Sequence, residues 1–210
     1  MVGCRGLRCI NLGGLHRIRA TQYQFLSSCS GLLSVDLAPL RNVTHIGGGF
    51  VSGCSSLTSI DLRPLSNVRS IDTGFLAACS GLLSLDLTPI QQIQAINTGF
   101  LAGCSSLTTI DLTPLCSVTT IGMGFMRECT SLTSLDLLPF AGTLIAIGSG
   151  FLGKCTGLTT LDIRPLGGVK DAPLNFLVGC SGLGVVIVEE DDHQLRGAIS
   201  VDVQQQLSTA

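Results

Sequence analysis

Charge is what this sequence has least of. Only 12% of its 210 residues are charged, while 45% are hydrophobic. Disordered chains show the opposite balance, with many charges and few branched aliphatics. Neither sign dominates: the net charge is −2, which argues against a general binder of nucleic acid or other polyanions. Long apolar runs are missing too. No stretch approaches the ~20 residues needed to cross a bilayer, and the longest candidates, Leu144–Leu152 and Leu183–Val188, are short and broken by glycine. The opening "MVGCRGLRCINLGG" lacks the apolar core of a signal peptide. Tryptophan is absent, tyrosine occurs once and histidine three times. Glycine is plentiful, at 26 residues, yet no glycine cluster leads from a strand into a long helix as a phosphate-binding fingerprint requires.

What the chain does have is a period. Phe25, Phe50, Phe75, Phe100, Phe125, Phe151 and Phe176 recur at intervals of 25 residues, with one interval of 26 whose extra residue falls in "FAGTLIAIG" (Phe140–Gly148). Each opens a unit like "FLAGCSSLTTIDLTPLCSVTTIGMG". Six full units and a fragment at either end give one elongated solenoid over residues 1–188, followed by a polar cap or tail over 189–210. Met1 falls on the second position of a unit, so the chain reads as a piece that begins inside a repeat. Within a unit, Phe-Leu-x-x-Cys suits one apolar face of a helical or 3₁₀ turn. Leu-x-x-Ile-x-Leu follows as a strand, because residues two apart share a side. Proline then ends the strand, and Val-x-x-Ile leads to glycines suited to a tight turn. One unit cannot bury enough to fold alone. Stacked units cover one another and pair their edges, with coils ~4.8 Å apart.

Two columns carry potential chemistry. The first is cysteine: Cys4, Cys29, Cys54, Cys79, Cys104, Cys129, Cys155 and Cys180, with Cys9 and Cys116 off the column. Stacked equivalents could come within disulfide range by Cα, but their parallel side chains keep Cβ atoms beyond the ~3.8 Å a bridge wants. A 25-residue spacing along the column and three histidines do not make a metal site. Buried free thiols acting as small hydrophobes are the expectation, with Cys116, just after the proline turn, the exposed one. The second column is Asp36, Asp61, Asp86, Asp111, Asp136 and Asp162, lying between the isoleucine and leucine of each strand and therefore turned away from the core, onto the concave face. Two residues earlier runs a hydroxyl column from Ser34 to Thr160. Two residues later runs a variable one: Ala38, Arg63, Thr88, Thr113, Leu138 and Arg164. Stacked like charges are unfavourable, so something must offset them. Bonding to hydroxyls or turn amides with local pairing by Arg63 and Arg164 is one answer. A groove for a basic segment of a partner is the other. Single aspartates lack the dense oxygen cluster of a calcium loop, and no metal or other cofactor is expected.

The remaining polar residues offer less. His16 and His45 lie away from the aspartates, and His193 sits in the acidic cap, so no base is placed beside a nucleophile. Asn42-Val43-Thr44 is a glycosylation sequon that matters only in a secreted chain. Residues 1–70 hold seven arginines and two acids, the remainder five basic residues and twelve acids, including "EEDD" at Glu189–Asp192. The arginines Arg5, Arg8, Arg17 and Arg19 read as a block against edge pairing rather than a partner site.

Phe-x-x-x-Cys-x-x-Leu-Thr-x-Ile-x-Leu, followed by Pro and Val-x-x-Ile-Gly, resembles the BspA-like (Treponema pallidum-type) leucine-rich repeats. The phrase "IDLxPLxxVxxIG" is also similar to leucine-rich-repeat proteins of kinetoplastid protists. The resemblance implies a concave parallel β-sheet with short helical or 3₁₀ turns and extended segments on the convex side. It implies a non-enzymatic surface for protein partners, often on microbial surfaces, with no catalytic residues to carry over. A structural spacer or coat segment, or a regulatory arm of a larger enzyme, are the alternatives. The chain departs from the pattern at Asn11 and Gly14, at Ile187 and Glu190, and at Ala172 and Asn175, where the convex side is expected to differ.

Overall fold

The structure, a computed structural model, describes residues 2–170, 173 and 176–209; the departures at Ala172 and Asn175 lie outside these. Proline and aspartate organise each coil. The dipeptide x-Pro begins a 3₁₀ turn, where the ring's fixed φ is pre-set and its missing N–H costs nothing. Such turns span Ala38–Leu40, Arg63–Leu65, Thr88–Ile90, Thr113–Leu115, Leu138–Phe140 and Arg164–Leu166. Gly13–Leu15 forms the same turn without proline. Each proline turn drops one fully buried side chain, such as Leu65 or Leu115, into the core.

The strands lie one segment later than expected. β1 (His45–Ile46) pairs with β2 (Ser70–Ile71), and β3 (Ala95–Ile96), β4 (Thr120–Ile121) and β5 (Ala146–Ile147) pair in order, all parallel. These are the Val-x-x-Ile segments after the proline turn. Flanking bonds extend the ladder: Arg69 N–H donates to the Thr44 carbonyl at 2.9 Å and Asp72 N–H to the Ile46 carbonyl at 2.8 Å. The Leu-x-x-Ile-x-Leu segments, expected to be the sheet, mostly make a bond between coils only at their start, as from Leu83 N–H to the Thr58 carbonyl at 3.0 Å. They become strands at one place, β6 (Thr160–Asp162) against β7 (Val185–Ile187). There the partner of Asp162 is Ile187. Between the coils of Asp36 and Asp162 full pairing would set aspartate against aspartate, which cross-strand electrostatics disfavours; Asn11 against Asp36 is not paired as strand either. The segment pairs where the acidic column ends.

The Phe-Leu-x-x-Cys segment is buried as expected but is not helical. Leu26, Val51, Leu76, Leu101, Met126, Leu152 and Leu177, each just after its phenylalanine, are left-handed with φ between 49° and 63°. Such a conformation costs a non-glycine residue roughly 1–2 kcal/mol. Bonds between coils offset it: Gly74 N–H donates forward to the Thr98 carbonyl at 2.7 Å, Leu76 N–H back to Phe50 at 3.0 Å, and Ala78 N–H forward to Ala102 at 2.6 Å. Above this turn the phenylalanine rings stack from Phe25 to Phe176, their centroids 5.0–6.0 Å apart and their planes within 16°. The extra residue of the fifth unit is absorbed at Gly142, whose φ is +75°, and the ladder resumes with Ile145 N–H on the Thr119 carbonyl at 2.8 Å.

The C-terminal residues form α1 (His193–Ala198) and α2 (Val201–Thr209). The Asp192 side chain caps α1 through Leu195 N–H, and Leu195, Ala198, Ile199 and Val203 are buried. Phe176 pairs with Ile199 as an isolated parallel bridge, so this segment continues the stack at its end.

Candidate functional site: two columns of the coil

The cysteine column is set by the left-handed turn beneath it. A left-handed residue aims its carbonyl toward the following coil, where a small donor can reach it. Cys54, Cys79, Cys104, Cys129, Cys155 and Cys180 place Sγ 3.0–3.3 Å from the carbonyls of Leu26, Val51, Leu76, Leu101, Met126 and Leu152. Four of these carbonyls, those of Leu76, Leu101, Met126 and Leu152, also accept the N–H three residues ahead, at 3.1–3.4 Å, so there the thiol adds a second bond. All ten cysteines are free. Burial pushes the Cys54 and Cys180 thiols up from 9.0 to about 11, and those of Cys79 and Cys129 to about 12. Cys104 and Cys155 are raised as well, again chiefly by burial. The column is core and carries inert, protonated thiols. Cys116 is exposed as expected, but so are Cys9 and Cys4, the column's first member. Cys4 and Cys9 belong to the N-terminal partial unit, whose residues are mostly exposed.

Each aspartate bonds to the amide two residues ahead. Asp36, Asp61, Asp86, Asp111, Asp136 and Asp162 accept through Oδ1 from the N–H of Ala38, Arg63, Thr88, Thr113, Leu138 and Arg164, at 2.8–3.0 Å. This is an Asx turn. It satisfies the last free amide before proline, and so starts the 3₁₀ turn. The signal was present in Asp-Leu-x-Pro, where the proline leaves just one nearby donor. Asn11 makes the same bond to Gly13 N–H at 2.8 Å, so its departure from aspartate changes the charge but not the turn.

The variable column therefore serves the aspartates before it serves anything else. Arg63 grips Asp61 with Nε at 3.0 Å and Nη2 at 2.8 Å, and Arg164 grips Asp162 at 3.0 and 2.7 Å. These guanidiniums hold the two carboxyls below the usual carboxylate range. The Thr88 and Thr113 hydroxyls and amides do the same for Asp86 and Asp111. Ala38 and Leu138 have no side-chain donor to add. Among the described residues, Asp36, Asp86, Asp111 and Asp136 make no ion pair, and all four are exposed. The acidic column is thus neutralised at the second and sixth coils and bare between them. No group of three or more histidine, cysteine, aspartate or glutamate side chains among the described residues is arranged to hold a metal ion. His45 binds Asp72 at 3.3 Å on the other side of the proline turn, and the Asn42 side chain of the sequon donates to the His16 carbonyl at 2.9 Å. No helix among the described residues is long and apolar enough to cross a membrane.

Parallel coils one repeat apart, an open sheet and a 3₁₀ turn in each coil define a leucine-rich-repeat solenoid. The sequence matches the family described as BspA type Leucine rich repeat region (6 copies), over residues 3–93 and again over 88–191. The chain belongs to this BspA-type leucine-rich-repeat family. No curated protein is detectably similar to it in sequence. Among solved structures, the leucine-rich-repeat protein of T. pallidum (TpLRR) is similar at 25% identity with a TM-score of 0.56, over 80% of this chain and 69% of that one. The functional domain of InlJ from Listeria monocytogenes, which includes a cysteine ladder, is similar at 15% identity with a TM-score of 0.45, over 87% of this chain and 42% of that one. A leucine-rich-repeat protein from Bacteroides ovatus is similar at 16% identity with a TM-score of 0.40, over 91% and 69%. Proteins of the leucine-rich-repeat class are in general protein-interaction modules without enzymatic activity.

Proposed function

We propose that this chain is a non-enzymatic binding module whose aspartate face takes a basic segment of a partner protein. One observation carries the reading. The Asx turn needs only an oxygen acceptor, and Asn11 supplies one without charge. Six successive coils nonetheless use aspartate, which stacks like charges at a cost. A charge kept where the turn does not need it points to a use outside the chain. The bare members Asp86, Asp111 and Asp136 form its centre, with Arg63 and Arg164 bounding it. Leu138, 65% exposed, and Leu83, 57% exposed and three residues before Asp86, add apolar contact. The partner segment would therefore alternate lysine or arginine with aliphatic side chains. The reading rests on exposure and charge and does not depend on the curvature of this face. Its setting is a surface role of the kind the family resemblance implies.

The test is the triple variant Asp86→Asn/Asp111→Asn/Asp136→Asn with a labelled twelve-residue Lys-Leu peptide, followed by fluorescence anisotropy. The native chain should bind with an affinity that falls as salt rises, and the variant should bind at least tenfold more weakly while melting at the same temperature. Equal binding by both proteins removes the reading.

A further inference from the structure

We propose a second, separate site on the other side of the proline turns: a pocket for a tetrahedral oxyanion of the phosphate or sulfate type, held by Arg19 and Arg69. These residues are 50 positions apart, and only stacking joins them. Thr44 N–H donates to the Arg19 carbonyl at 2.8 Å and Arg69 N–H to the Thr44 carbonyl at 2.9 Å. Positions 19, 44 and 69 are therefore in register on three consecutive coils, with both arginines pointing the way Thr44 does. Their Cα atoms are about two coil spacings, ~10 Å, apart, so two guanidiniums can close over the threonine from opposite sides. The floor is a cavity of about 340 Å³ lined by Arg19, Asn42, Thr44, Asn67 and Arg69.

The lining is rich in donors, and the backbone carbonyls of Arg19 and Thr44 are already spent. The Arg19 carbonyl takes the Thr44 amide and, at 3.3 Å, its hydroxyl. Asn42 and Asn67 each commit one amide proton, to the His16 and Arg41 carbonyls at 2.9 Å, and retain the other. Among the described residues neither arginine makes an ion pair, and Asp72, just beyond β2, is held by His45. A donor-rich hollow with two unpaired guanidiniums suits a ligand that only accepts. A carboxylate presents both oxygens along one edge and satisfies one fork. A tetrahedral oxyanion presents oxygens on opposite sides and satisfies two. The remaining volume leaves room for the organic part of a phosphate or sulfate ester. The next coils carry Gln92 and Gln94, then Ser117 and Thr119, at the equivalent positions, so the positive charge is local to this end of the face.

Amide and arginine Nε–H resonances of the ¹⁵N-labelled chain report binding when inorganic phosphate, inorganic sulfate and acetate are titrated separately at constant ionic strength. Phosphate and sulfate should produce saturable shifts centred on Thr44, His45 and Arg69, and the tighter of the two identifies the ester class. Acetate should bind at least tenfold more weakly. Arg19→Gln/Arg69→Gln should lose at least tenfold, Arg69→Lys several-fold because a point charge replaces a fork, and Arg5→Gln/Arg8→Gln nothing. All these side chains are exposed, so melting temperatures should be unchanged. Equal shifts with acetate and phosphate, or full binding by Arg19→Gln/Arg69→Gln, would overturn the assignment.

Discussion

Alkali should unfold this protein through its cysteine column. Six buried thiols, Cys54, Cys79, Cys104, Cys129, Cys155 and Cys180, have folded pKa values raised above an ordinary 9.0, four of them to about 11 or about 12. A raised folded pKa means that stability is fully present below pH 9 and is lost as pH climbs from there toward the folded values. At pH 10 an unfolded thiol is about ten-to-one ionised, while a folded one stays protonated, a difference of about 1.4 kcal/mol per thiol. Six thiols then lower stability by about 8 kcal/mol relative to pH 8, against a typical total of about 5–15 kcal/mol. The composition keeps the measurement clean. The chain has one tyrosine and only two lysines, Lys154 and Lys170, and arginine does not titrate in this range. Urea unfolding followed by circular dichroism from pH 7.5 to 10, under reductant, should show this fall. Unfolding at pH 10 should release about five protons per chain, and about four from Cys104→Ala. A loss below about 2 kcal/mol between pH 8 and 10 would refute the claim that these thiols are protonated donors in a dry column.

Three further outcomes follow from single contacts. Asp111→Ala removes the acceptor that starts the Thr113–Leu115 turn and should cost about 1 kcal/mol, as loss of a cap does; Asp111→Asn should be within a few tenths of wild type by urea unfolding, because Asn11 already holds its own turn. Native protein should expose three thiols to a titrating reagent, Cys4, Cys9 and Cys116, and all ten after denaturation; more than three fast-reacting thiols in the native state would contradict the packing. Gly99→Ala should cost about 1–2 kcal/mol in thermal unfolding, because φ is +74° while no neighbouring atom lies within 3.6 Å of the added methyl, leaving only the left-handed penalty.

Much of this molecule is legible as pattern. The 25-residue period puts Phe100, Leu101, Cys104, Leu107, Leu112 and Leu115 inside, and all six are buried. The proline turn and the exposure of Asp111 and Cys116 can be read the same way, since periodicity and proline geometry act on neighbouring residues. The conformation linking these buried positions is less legible. Spacing i, i+1, i+4 fits a helical turn, yet the segment holds a left-handed leucine, because bonds to two flanking coils repay a strain that a lone segment could not bear. Alternation in Leu-x-x-Ile-x-Leu fits a strand, yet it pairs fully only where Asp162 meets Ile187. Arg19 and Arg69 gave no local signal, being unrelated until the coils stack.

The repeat alone therefore determined which side chains are buried, where each coil turns and that the coils must stack, because these depend on hydrophobic period and on the fixed φ of proline. The stack decided which segment becomes sheet, which carbonyl each buried thiol meets, and which charges are left unpaired. Those outcomes depend on what one coil presents to the next: a carbonyl aimed at Cys104, an acid that would face another acid, two arginines brought to either side of Thr44. Such relations exist only between coils, and no single unit contains them.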